Sequence, residues 1–395
     1  MLTDEQIEKY LYGYTQRQDE FVMYVMRKIA SRIGRLASFD DIYSLENSKE
    51  SMQDIQDIKF EYYKLADKQR RQIHDDFFLI ALYMYKEAEK FYQAQLLFQE
   101  NKELTKALDE MTKAGVASLD SLIKKPMLAM RDLANPGIMK MYKPEDAYKS
   151  MLAEAFSYRH LSDNLQRIAL KRSTMQLFDV GLRYMTSDTD TSYKASINAN
   201  NAVRFNVLDS MKTMIDKVQS VMGKQFGANG VQLSAHAFPA PDHAPAQGHQ
   251  FSFEEFDKMQ HGEDFVDANG IQYEGFERQI GQWNCRHYAM QIKFGSKPEY
   301  TQKELDNILA RNEKGFTTSD GKHYTLYECS QIQRGYERRI RDAKEKYIMA
   351  KALGDEKLMQ RERSRVGELT SQYKLFSHKC DMPIKLERIR VKDYQ

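Results

Sequence analysis

Five of the chain's nine histidines, His236, His243, His249, His261 and His287, fall between Val231 and Gly295. The single tryptophan, Trp283, and one of three cysteines, Cys285, lie in the same stretch. His236, His243, Cys285 and His287 are the residues with chemistry to offer. Imidazole nitrogen and thiolate sulfur are zinc's preferred donors, and four of them suit a tetrahedral ion. One residue separates Cys285 from His287, so extended backbone turns both to the same side. The spacing matches neither Cys-x-x-Cys nor His-x-x-x-His, and a second reading stands beside the metal. In it the rings hydrogen-bond buried backbone in a loop-rich core, and Cys285 is a small apolar filler. A third reading makes Cys285 with His287 or His236 a thiolate-imidazole pair, or has a histidine-held metal activate water. It lacks an evident general acid or base, since Glu254, Glu255 and Glu263 belong to a short helix expected to face solvent. The chain has no P-loop, dinucleotide-binding glycine pattern or nucleophile elbow.

The elements that must position these residues are short. Val231–Ala235 reads as a strand. Pro239, Pro241 and Pro245 exclude helix and central strand from the segment 238–248. Ser252-Phe-Glu-Glu255 has the form of a capping box and starts a short helix. Asn269-Gly270 supplies the positive φ values of a tight hairpin turn, and Met290–Phe294 reads as a strand. Thr301-Gln-Lys-Glu304 caps a helix ending near Gly315, and Asp320-Gly321 marks a second hairpin.

On either side the pattern is helical. Ile7, Leu11, Tyr14, Phe21, Val25, Ile29, Ile33 and Leu36 recur at three- and four-residue steps, behind a capping box at Thr3–Gln6. Ser38–Asp41 breaks the pattern. A second segment from Ser48 to Leu108 has neither Gly nor Pro and reads as one long rod or two helices. Ala114-Gly115 and Asn135-Pro136-Gly137 read as breaks. A helix is expected from Lys143-Pro144 to about Tyr184, a polar loop over Ser187–Ser192, and a helix from Ala199 to Met222. Gly227 and Gly230 mark a boundary.

Beyond Thr325, a capping box starts a long helix with Ile332, Tyr336, Ile340, Ala343, Tyr347 and Ala350 on one face. Gly354 ends it, and a return helix carries Leu369, Tyr373 and Phe376. Residues 331–395 hold 17 Lys and Arg against 10 Asp and Glu, a net of +7, whereas the whole chain is only +2. Arg334, Arg338, Arg339 and Arg341 are candidates for contact with nucleic-acid phosphates or an acidic partner. The competing reading is a helix surface of internal ion pairs, Glu337 with Arg334 and Arg341, and Arg338 with Asp342. No aromatic platform or base-reading motif accompanies them.

These features predict a mainly α protein. Long N-terminal helices occupy 1–225, a small α+β module with the His/Cys set occupies 226–323, and a basic C-terminal helical hairpin packed on it occupies 324–395. A mean hydropathy of -0.69 fits long solvated helices. No apolar run approaches the roughly 20 residues that cross a bilayer, and Met1–Gln6 has no signal-peptide character. Three widely spaced cysteines point to a reducing compartment.

Several motifs in one order resemble the phage minor capsid protein 2 family. They are Ser234-Ala-His236, Pro241-Asp-His243, Gln247-Gly248, Phe251-Ser252 and Trp283-Asn-Cys-Arg-His287. Gly321-Lys-His-Tyr324, Thr325-Leu-Tyr-Glu328, Gln331-Ile-Gln-Arg334 and Glu337-Arg-Arg-Ile-Arg341 follow. The likeness extends to the Mu protein F type minor head proteins, which carry Cys-x-x-Cys, then His and Cys-Arg-Cys. By that analogy His236 and His243 stand at the first pair, and Cys285 and His287 at the second, which adds weight to zinc. Ala237-Phe238-Pro239 departs from the family's Ala-Arg-Pro. The resemblance implies a structural head component of a tailed phage, not an enzyme. It would associate with the portal and other capsid proteins and be incorporated during head assembly in the host cytoplasm. Non-specific contact with packaged DNA would fit the basic tail. The alternative is a zinc-dependent nuclease or effector delivered into the host with the DNA.

Overall fold

A computed structural model of the chain describes residues 4–34, 49–92, 101–123, 126–131, 138–143, 146–147, 182–185, 196–281 and 285–394, with isolated positions between 150 and 175. The described residues are mainly helical, as their periodicity requires. They fall into two compact units. One comprises 1–13, 70–119 and 204–332; the other comprises 14–69, 120–203 and 333–395.

Helix α1 spans Asp4–Gly34, α2 Lys49–Tyr92 and α3 Lys102–Ile123. Of the expected α1 face, Ile7, Leu11, Tyr14, Phe21, Val25 and Ile29 are buried. The long rod is divided: α2 has 44 residues, about 66 Å at 1.5 Å each. Helix α3 runs through Ala114-Gly115, which was expected to break it. The glycine serves packing there, because a Cβ at Gly115 would stand 3.0 Å from Cε2 of Phe77.

Four strands were not legible in the sequence: β1 Pro126–Arg131, β2 Met139–Tyr142, β3 Leu182–Met185 and β4 Ser196–Asn198. They pair antiparallel in the order β2-β1-β3-β4. Tyr184, expected at a helix end, lies in β3 and donates its buried hydroxyl hydrogen to Gln18 Oε1 at 2.9 Å. Leu, Met, Ala, Lys and Arg favour helix in isolation, so pairing partners overrode local propensity. Most of the helix expected between Lys143 and Tyr184 lies outside the described residues. So do the loops at Ser38–Asp41 and Ser187–Ser192.

Helix α4 spans Ala199–Phe226. Then β5 Gly230–Leu233, β6 Gln250–Ser252 and β9 Ala289–Ile292 form an antiparallel sheet in the order β6-β5-β9. Helix α5, Phe253–Gln260, is entered through both hydrogen bonds of the expected capping box. The hairpin of β7 Phe265–Val266 and β8 Gln272–Tyr273 turns where the Asn-Gly pair placed it. Its turn is fastened by Asp267 Oδ1, which accepts the amides of Asn269 and Ile271. Val231, Leu233, Phe251, Met259, Tyr273, Phe276, Ile280 and Cys285 form the core of this region. Helix α6, Gln302–Lys314, and the hairpin of β10 Phe316–Thr317 and β11 His323–Tyr324 follow as expected.

Helices α7, Leu326–Ala352, and α8, Glu356–Lys379, make the basic hairpin. Ile340, Ala343, Val366, Leu369, Tyr373 and Ile389 are its core. Two acids lie close together in the second unit, Asp19 and Glu345. Burial and the Asp19 charge push the Glu345 carboxyl up to about 8, against the pull of Arg341 and Lys346 and with a further push from Asp342. Burial likewise raises Asp19, although Arg341 and a hydrogen bond from Asn200 pull it down. The unfolded chain releases the Glu345 proton near pH 4.5, whereas the folded chain holds it to about pH 8. Stability from this group is therefore full below about pH 4.5 and declines as pH rises through that window. Glu345→Gln is expected to remove the decline, about 3–4 kcal/mol between pH 5 and pH 8. Denaturant melts of both proteins at pH 5 and pH 8 check it: an equal pH 5 to pH 8 difference in the two would refute it.

Candidate metal centre

The cluster is built by the segments around β5, β6 and β9, all within the first unit. Ser234 at the end of β5 takes part in the sheet's continuation, its amide donating to the Tyr288 carbonyl at 3.0 Å. That contact brings the 234–236 segment beside Cys285–His287. His243 sits in the turns between Pro241 and Pro245, where its amide donates to the Ala240 carbonyl. Cys285, His243 and His287 are all buried.

The Sγ of Cys285 lies 3.5 Å from Nδ1 of His243 and 3.6 Å from Nδ1 of His287. Taken with the third edge, the ligand atoms of the three residues all lie within 4.8 Å of one another. Zinc bonds of about 2.3 Å to sulfur and 2.0–2.1 Å to nitrogen, at the tetrahedral angle, set donor atoms about 3.6 Å apart. The two sulfur-nitrogen edges have that length. The donor set therefore fits zinc in element type, and its two sulfur-nitrogen edges fit in spacing.

Outer hydrogen bonds fix which ring nitrogen faces inward. His243 Nε2 lies 2.6 Å from the Arg278 carbonyl, and His287 Nε2 lies 3.4 Å from Gln247 Oε1. With an ion bound, an Nε2–H donor in each ring would present the Nδ1 lone pair to it, the tautomer a metal needs. Burial, reinforced by the neighbouring His236 and His243, holds His287 well below the usual imidazole range, so it is neutral. For Cys285 burial alone would raise the thiol, but the His243 hydrogen bond, the Lys212 and His243 charges and the Gly281 backbone bring it below its usual value. A depressed thiol and a neutral imidazole are the states in which these groups bind metal.

The structure brings three of the four expected residues together. His236 lies against them differently: its ring is tilted against that of His287, with centroids 4.2 Å apart and planes at 32°. Its amide donates to Gln247 Oε1. Gln247, buried and bound to both His236 and His287, is a positioning residue that spacing did not single out. Its place within Gln247-Gly248 was the available signal. Arg286, between Cys285 and His287, turns the other way, as alternation requires, and pairs with Glu8 at 2.7 Å. The Glu8 carboxylate also receives both Arg204 nitrogens. Trp283 and Asn284 lie outside the described residues.

The basic candidates are elsewhere. Arg338 and Arg339 are exposed, Arg334 and Arg341 half-buried. Arg341 pairs with Asp19 at 3.1 Å. Of the three expected pairs, Glu337 keeps the Arg341 charge near it, but its direct partners and those of Asp342 are others. Buried Glu337 accepts the Tyr373 hydroxyl and faces Arg388 at 3.7 Å. Asp342 faces Lys346 and Arg365 in place of Arg338. Helix-surface spacing overlooks partners that a second helix brings.

The described residues are mainly helical, with a small α+β module that carries a buried cluster of two imidazoles and a thiol able to hold a metal ion. The profile of the family described as phage minor capsid protein 2 matches residues 2–377 of the 395. The chain belongs to that family, and is by membership a phage capsid component. No curated protein and no solved structure gave a significant match. Among the described residues, no helix is long and apolar enough to cross a membrane.

Proposed function

We propose that this chain is a minor head protein of a tailed phage that associates with the portal and enters the particle during head assembly in the host cytoplasm. The observation that supports it is the family match over residues 2–377. The chain would be an architectural part, with the helices of 1–225 docking to the portal or capsid interior. The experiment is co-expression with the portal protein of the same phage, with purification and native mass spectrometry. A complex of fixed stoichiometry, and a few copies per purified head, is the expected result. A chain that stays apart from portal and is missing from heads would overturn the proposal.

Within it, His243, Cys285 and His287 would hold zinc, and His236, whose ring lies against His287, would turn to supply the fourth donor. The bound ion would supply a divalent crosslink between segments far apart in sequence. The chain's own contribution is to set both tautomers through Arg278 and Gln247 and to exclude water by burial. The exposed Arg338 and Arg339, with Arg334 and Arg341 beside them, would meet DNA phosphates without reading sequence. Binding of the full chain to duplex DNA should then weaken steeply as salt rises; salt-insensitive binding would dismiss that contact.

A further inference from the structure

We propose that Glu8, near the start of α1, is a positioning residue of the metal centre, and that through it the ion and the docking of α1's first turns support each other. The inference rests on the metal reading above. Residues 1–13 fall in the same compact unit as the cluster. Arg286 Nη2 lies 2.7 Å from Glu8 Oε1 in an ion pair. Arg204, on α4, donates from Nη2 to the same oxygen at 2.6 Å and from Nη1 to Oε2 at 2.9 Å. One carboxylate thus joins α1 to α4 and to the cluster segment. The side chains of Arg286, Glu8 and Arg204 are 15 %, 17 % and 18 % exposed, so water and salt screen these charges little.

Arg286 is the one residue between Cys285 and His287. Its side chain leaves the backbone on the face opposite theirs, so holding the guanidinium fixes the peptide groups that aim the Cys285 sulfur and the His287 ring. Those two donors stand 3.6 Å apart. An ion between them would hold the same segment in place, and with it the guanidinium that Glu8 meets. Metal affinity and helix docking then share one coupling free energy, and each strengthens the other by the same factor. Ile7 and Leu11, buried on the same turns of α1, supply the apolar part of the docking. The Glu8 carboxylate supplies the part that responds to the ion.

Hydrogen exchange of the full chain with and without zinc tests this first, because it needs no substitution. Zinc should slow exchange over residues 6–13 about 10-fold more than over 356–379, a helix of the other compact unit. Zinc titration is the second arm, and Glu8→Gln should bind about 10-fold more weakly than wild type. Because Glu8 acts through Arg286, adding Glu8→Gln to Arg286→Met should cost no further affinity. A structural role alone would lower stability and leave zinc affinity in place. Wild-type protein that binds zinc but slows both segments equally, or a Glu8→Gln protein of unchanged affinity, overturns the coupling and leaves the metal centre standing. Wild-type protein that takes up no zinc overturns both.

Discussion

Replacing Cys285 by alanine is expected to reduce zinc from about one ion per chain to almost none. The sulfur is the shared vertex of the cluster, 3.5 Å and 3.6 Å from the two inward nitrogens. It is also the cluster's only anion, so its loss removes both a bond and the charge that compensates the ion. Metal bound only by the folded state stabilises it by about 4 kcal/mol when free zinc exceeds Kd roughly a thousandfold. Wild-type protein should therefore melt well below its usual temperature after chelation, whereas Cys285→Ala should be indifferent to chelator. Elemental analysis and paired thermal melts read both effects. Equal zinc in the two proteins would contradict the assignment, and a wild-type melt unmoved by chelator would contradict the staple.

The second large effect is expected at Phe251. This ring is 1 % exposed and lies at the centre of the module. It meets Tyr273 edge-on at 5.0 Å and Phe265 at 6.1 Å, and its backbone pairs with Val231. Phe251→Ala should cost about 3–5 kcal/mol, from lost transfer free energy and the cavity left behind. The strand β6 follows directly on Gln247–His249, so loosening it should also disturb the glutamine that orients His287. Denaturant titration gives the stability loss, and zinc affinity should fall with it. A loss under about 1 kcal/mol would mean that the aromatic cluster is not the module's core.

The elements legible in the sequence were those with a local cause. Capping boxes at Ser252, Thr301 and Thr325 satisfy amides within three residues of themselves. The Asn-Gly turn at 269–270 and the apolar stripes of α1, α4 and α7 are equally local. The strands β1 to β4 were not legible, because Met-, Leu- and Lys-rich segments carry no strand signature until a neighbour offers hydrogen bonds. Gly115 misled for a related reason: its cause is Phe77, nearly forty positions away in sequence.

The metal candidates were nameable as residues, because rare types gathered in one stretch, and the Cys285-x-His287 alternation already put two donors on one side. What the sequence determined, by itself, was the chemical identity of the cluster, the helical class and the family. Only the tertiary structure decided that His243 joins Cys285 and His287 while His236 lies beside them. It also brought the Arg278 carbonyl and Gln247 Oε1 to the outer ring nitrogens. The physical reason is range: capping, turn geometry and amphipathic period act over three or four residues. A ligand set is closed by contacts across dozens of residues, and those exist only once the core has formed.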